Sequence, residues 1–167
     1  MAIEEIVANL RRDWSTARTA CHHGERCPFV LRCTFTQPAS SSPEAQRLQG
    51  MPDTLIDMWR RFETARLFED EAFGQWGVEL LSPMGVLDLT RSFNNERPVD
   101  VQPGDVVFGR FLGDTELLLM SGDGRIHVTR PLDERSHWPT IANNLEEFLE
   151  RLVDAEGAKY WESPFHQ

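Results

Sequence analysis

The sequence predicts a single α+β domain built mainly on an antiparallel sheet. Three observations carry that expectation. Two corners, Gly113-Asp114 and Gly122-Asp123-Gly124, separate three apolar runs and read as successive hairpin turns. Amphipathic helical stripes stand on both sides of this strand region. The chain has 167 residues, 40% of them apolar, enough for one ordinary core.

Ile3, Ile6, Val7, Leu10 and Trp14 recur at helical spacing and predict a one-sided first helix. Val30 and Leu31 sit among β-formers, so a short strand is expected over Phe29–Phe35. The stretch "TQPASSSPEAQRLQG" reads as a connector followed by a brief helix, started at Ser42-Pro43 and stopped by Gly50. A clearer helix is expected in "MPDTLIDMWRRFETARLF", capped by Asp53 or Thr54, with Leu55, Met58, Trp59 and Phe62 on its buried face. An acidic run at Glu69, Asp70 and Glu71 then reads as a solvated bend.

"WGVELLSP" predicts a strand ending at Pro83. Ser82 before Pro83 favours a helix start, although Val86, Leu87 and Leu89 would also suit a strand. Three strands are then expected, at Asp105–Phe111, Glu116–Ser121 and Arg125–Arg130. The middle one, "LLLM", is apolar without alternation, as in a strand covered on both faces. Last comes a helix begun by Asn144 and Glu147 in a capping-box arrangement and ended by Gly157. Its stripe is Leu145, Phe148, Leu149, Leu152 and Val153, and its outer face is acidic. No internal repeat stands out.

Charge narrows the function classes. The net charge is −10, yet residues 1–66 hold nine basic and eight acidic residues, while 67–167 hold eight and nineteen. A region of net −11 repels nucleic acid and attracts a basic protein. No run of about 18 apolar residues exists, and the N-terminus lacks a secretion signal's apolar core, so a cytoplasmic location is expected.

The motifs exclude more than they assign. After Asp114 and Glu116 the chain enters Leu117–Met120, which offers no side-chain oxygen for calcium. A phosphate loop is missing, and the only lysine is Lys159. Cys21, His22, His23, Cys27 and Cys33 crowd together, but the paired spacing of a structural zinc site is lacking, so no metal or cofactor is assigned. His127 and His137 stand outside any recognisable catalytic grouping, so no catalytic residue is named.

The order of parts resembles the SUKH superfamily, which includes the yeast cell-wall synthesis regulator and many bacterial immunity proteins. The residues that carry the resemblance are Pro38-Ala39-Ser40, Met51-Pro52 with Leu55, the Gly-Asp corners, and Glu147-Phe148-Leu149. One departure is Glu63-Thr64, where the family's second helix usually leads into Asn-Gly. The resemblance divides the chain into an N-terminal helix and variable extension, 1–36, and a SUKH-like domain, 37–167. It implies helices packed on an antiparallel sheet and no enzymatic activity.

Resemblance and charge together lead to the expectation of a protein-binding domain, an immunity protein that neutralises a basic, nuclease-like toxin. The alternative is a housekeeping regulatory scaffold of the same superfamily with no toxin partner. Charge and loop position nominate Glu69, Asp70, Glu71, Asp114, Glu116, Asp123, Asp133 and Glu134 as partner-binding residues.

Overall fold

The computed structural model of the protein describes residues 1–38 and 50–162. The brief helix expected after Ser42-Pro43 lies outside the described residues. Among those described, eight strands form one antiparallel sheet in chain order, joined by four α-helices. The α+β architecture is the one the sequence predicts. None of the described helices is long and apolar enough to cross a membrane.

Helix α1, Ile3–Trp14, buries the expected stripe, with Glu4 and Glu5 in its first turn and Arg11 and Arg12 in its last. Those charges complement the helix dipole. Strands β1, Arg18–His22, and β2, Glu25–Phe35, then form a hairpin. The strand expected at Phe29–Phe35 is therefore only the second half of a longer one. Its turn is His23-Gly24, with φ of 51° and 82°, the paired positive angles that a tight hairpin requires.

Helix α2 spans Asp53–Arg61 and buries Leu55, Met58 and Trp59. Its N-cap is Pro52 with no side-chain cap, so neither Asp53 nor Thr54 fills that role. The helix also stops earlier than its pattern suggested, because Ala65–Asp70 forms β3. Pairing outweighs helix propensity at this point. Thr36 N donates to Thr64 O at 3.0 Å, and Thr64 N donates to Thr36 Oγ1 at 2.8 Å, which splices the chain into the sheet.

Strand β4, Val78–Leu80, leads to α3, Pro83–Glu96, whose cap Ser82 accepts from Gly85 N at 3.1 Å. Strands β5, Val106–Phe111, β6, Leu117–Met120, and β7, Ile126–Thr129, match the expected meander. A 3-10 turn at Arg135–His137 and the short β8, Thr140–Ala142, precede α4, Leu145–Asp154.

The sheet is covered on both faces at β5 and β6. Phe108, Leu118 and Met120 enter the main core with α1, α2 and α4. Val107 and Leu119 instead join Phe93 of α3 and Trp138 in a second cluster. Alternation sends these two sets to opposite faces, which accounts for an all-apolar β6.

Candidate interaction site

One end of the sheet gathers most of the nominated acids, and a bulge in β3 sets its shape. Arg32 pairs with Glu69 and Thr34 with Arg66, so Cys33 alone faces both Leu67 and Phe68. Phe68 adopts φ +54°, uncommon for a bulky residue, and both it and Leu67 are buried. Its ring lies edge-on to Trp14, with centroids 4.9 Å apart. The bulge redirects the chain into the loop of residues 71–77.

That loop meets the β5–β6 turn. Leu112 N donates to Gly77 O at 2.9 Å, and a Cβ at Gly113 (φ +76°) would collide with the Gln75 carbonyl. The segment after α4 closes the third side. Trp76 Nε1 donates to Gly157 O at 3.1 Å, and the Phe111 and Trp161 rings lie 5.6 Å apart. Between these parts lies a cavity of about 130 Å³ lined by Trp76, Phe111, Asp114, Lys159 and Trp161.

Lys159 is the electrostatic hinge of this end. Its Nζ lies 2.7 Å from Asp114 Oδ2 and 3.4 Å from Glu116 Oε1, and 4.9 Å above the Phe111 ring. Burial pulls the Lys159 pKa down, but the Asp114 hydrogen bond and neighbouring carboxylates carry it above the ordinary value. For Asp114, burial acts upward and is outweighed by Lys159 and the turn amides, so its pKa falls. For Glu116 burial prevails, and the pKa rises.

The eight nominated acids divide by position. Glu69, Asp70 and Glu71 lie where β3 ends, and Asp114 and Glu116 on the β5–β6 turn of the same sheet end, with Glu69 on the face of Arg66, Glu79 and Arg110. Asp70 is only 3% exposed and accepts from Ala72 N and Phe73 N at 3.0 and 3.4 Å, so it shapes the loop and does not face solvent. Glu69 pairs with Arg66 at 2.7 Å and Glu71 with Arg32 at 3.6 Å. The expected solvated bend is thus a strand end with most of its charge already partnered.

Glu116 also faces Arg130 at 3.7 Å, which leads to the connection carrying Asp133 and Glu134. Asp133 is half-buried and its carbonyl accepts from Trp138 Nε1 at 3.2 Å; Glu134 is exposed. Asp123 stands apart, at the opposite end of the sheet, where Met120 pairs with Ile126. There it accepts from Ser121 Oγ at 2.5 Å within its own turn.

Sequence reasoning missed the loop's most exposed aromatic. Phe73 is 78% exposed and sits in "EDEAFGQWG", where no periodicity marks it as either core or surface. The flanking acids and Gly74 were the available signal for a presented loop, and Gly74 indeed adopts φ +64°.

The Cys/His segment adjoins the same end. His22 Nε2 lies 2.9 Å from Glu156 O and its ring 5.5 Å from that of Trp76; burial lowers its pKa. Cys27 and Cys33 turn into the core while Cys21 is exposed, so the hairpin disperses the five side chains. Among the described residues, no three His, Cys, Asp or Glu side chains converge to hold a metal ion.

No protein-family model matches the chain, and no curated protein matches it.

Proposed function

We propose that this chain is a non-enzymatic protein-binding domain, an immunity protein that neutralises a basic, nuclease-like toxin. The observation that carries the reading is the exposed Phe73 at an end of the sheet edged by Glu71 and Asp114. Aromatic side chains surrounded by polar neighbours are the usual anchors of protein interfaces. An acidic rim speeds encounter with a basic partner and sets its orientation. The bulged β3, the Gly113 turn and the Trp76–Gly157 bond hold this end rigid, which limits the ordering cost of binding.

The test is direct. The genes flanking this one are searched for a toxin-bearing product, its toxin domain is titrated with the protein at low and physiological salt, and cells expressing that domain are scored for rescue. Tight, salt-sensitive binding with restored growth is the expected result. Phe73→Ala is expected to weaken binding by roughly 30-fold or more, as hot-spot truncations do. Binding indifferent to ionic strength, or no protection of the cells, would sink the proposal.

A further inference from the structure

Two four-residue stretches of this chain have the same chemistry and close on the same turn hydrogen bond. Arg97-Pro98-Val99-Asp100 follows α3, and Arg130-Pro131-Leu132-Asp133 follows β7. Each closes on an i to i+3 hydrogen bond: Asp100 N donates to Arg97 O at 3.0 Å, and Asp133 N to Arg130 O at 3.1 Å. Proline occupies the second position of each turn, where its fixed φ belongs. The third position carries the aliphatic residue. Val99 is 95% exposed and Leu132 97%, the two most exposed large hydrophobic residues among those described.

Isolated exposed aliphatics are ordinary on protein surfaces and carry no message. These two are not isolated. Arg97 Nη1 donates to Arg130 O at 2.7 Å and its Nη2 to Asp133 O, so the first turn clasps the second. The third turn position favours small polar residues, and a β-branched valine gains nothing there by packing. Neither side chain serves the fold, yet the fold holds both in place.

The support beneath them is unusually well tied. Arg97 Nε donates to Asp100 Oδ2 at 2.9 Å, and Arg135 Nη1 to Asp100 O at 2.8 Å. Arg135 also pairs with Asp105, whose side chain is only 2% exposed. Trp138 lies under both guanidinium groups, at 5.2 and 5.7 Å from its ring centre. Arg97, Arg130 and Arg135 are each engaged by carboxylates or carbonyls, whereas the Glu96 and Glu134 side chains are exposed at the margin, Glu134 accepting from Ser136 Oγ at 3.0 Å. The outward character is therefore two aliphatic tips inside an acidic rim.

We infer that the twinned turns are a docking site for a basic protein partner, which receives Val99 and Leu132 in apolar clefts edged by Lys or Arg. The inference rests on the protein-binding reading and adds to it the apolar anchors and their address. Through Arg130 and Glu116 the surface continues into the Lys159 end.

Methyl-labelled protein is titrated with two short synthetic peptides of equal charge, one alternating leucine with lysine and one alternating serine with lysine. The leucine peptide is expected to shift the Val99 and Leu132 methyl signals, and the serine peptide to leave them nearly unmoved. A Val99→Ser/Leu132→Ser double variant should lose about 10-fold or more in affinity for the leucine peptide, with its thermal midpoint unchanged. Equal shifts from both peptides, shifts confined to the Phe73 end, or unchanged affinity in the double variant would each overturn the assignment. The absence of a toxin gene among the flanking genes, or failure of its product to bind, overturns instead the immunity reading, so the two fail separately.

Discussion

Lys159 Nζ lies between Asp114 Oδ2 and Glu116 Oε1, at 2.7 and 3.4 Å, so the only lysine in the chain bridges the two acids of the β5–β6 turn. The bridge joins the segment after α4 to the middle of the sheet. Its side chain is 14% exposed, which keeps water from screening the pair fully.

Lys159→Met should therefore destabilise the protein. Two partly buried carboxylates would lose their cation, and the remaining like charges would face each other. A loss of about 1–3 kcal/mol is expected, below the value for a fully buried pair because Asp114 stays partly wet. Urea denaturation at neutral pH measures it; a variant as stable as the parent would show that the bridge is not coupled to folding.

The two acids should respond to pH in opposite directions. Asp114 is held below its ordinary value of 3.8, so its contribution is present above that value and is lost as pH falls through the folded pKa. Glu116 is held above its ordinary 4.5, so its contribution exists below that value and is lost as pH rises through the folded pKa. At pH 7, Asp114→Asn should lower stability by less than about 1 kcal/mol, whereas Glu116→Gln should leave it unchanged or raise it. Thermal unfolding of both variants at pH 7 and near pH 4 checks the contrast, and the same sign for both at pH 7 would refute it.

Only one thiol should react in the folded protein. Burial pushes Cys33 up to about 12, and Cys27 is buried at the other end of β2, while Cys21 is exposed on β1. The thiolate is the nucleophile, so a buried thiol held in its neutral form is inert. Iodoacetamide followed by mass analysis should find Cys21 modified first and the others only after denaturant is added. Labelling of Cys33 at a similar rate would contradict this arrangement.

Local chemistry was legible in the sequence, and what depended on remote partners was not. The α4 start could be read because its signal is confined to neighbours: Asn144 Oδ1 accepts from Glu147 N at 2.7 Å, and Glu147 Oε2 accepts from Asn143 N at 2.9 Å. The hairpin corners needed only their glycines. Strand β3 escaped because Leu67 and Phe68 both turn inward at the bulge, which breaks the period of two. Strand β1 was hidden because its turn lies inside a cysteine and histidine stretch that invited a metal reading. The acids of the site were visible as charges, but the burial of Asp70 and the role of Lys159 come from folding, which sets Lys159 against a turn 45 residues away in the chain. The twinned turns were too short to register as a repeat.

Phe68 offers a test of backbone strain. Phe68→Ala empties a fully buried ring site against Trp14, with an expected cost of about 3–5 kcal/mol. In an ordinary strand, glycine is less stable than alanine by roughly 0.5–1 kcal/mol. At φ +54° the order should reverse, with Phe68→Gly at least as stable as Phe68→Ala. Denaturation midpoints of the two variants decide it, and alanine clearly above glycine would remove the strain argument.

The Arg135–Asp105 pair should prove costly to break and cheap to replace. Asp105 is 8% exposed overall, and its carboxylate accepts from Arg135 and from Gln102 N at 2.8 Å. Arg135→Met leaves that carboxylate buried without its cation, and a loss of about 3–5 kcal/mol is expected. Replacing both partners, Arg135→Met with Asp105→Leu, removes the buried charge as well and should recover part of the loss. A double-mutant cycle should therefore return a coupling energy above about 1 kcal/mol. The same arginine fixes Asp100, so the single variant should also broaden the Val99 methyl signal by loosening the first turn. Additive energies, or an unchanged Val99 signal in a destabilised Arg135→Met protein, would show that the pair does not support the turns.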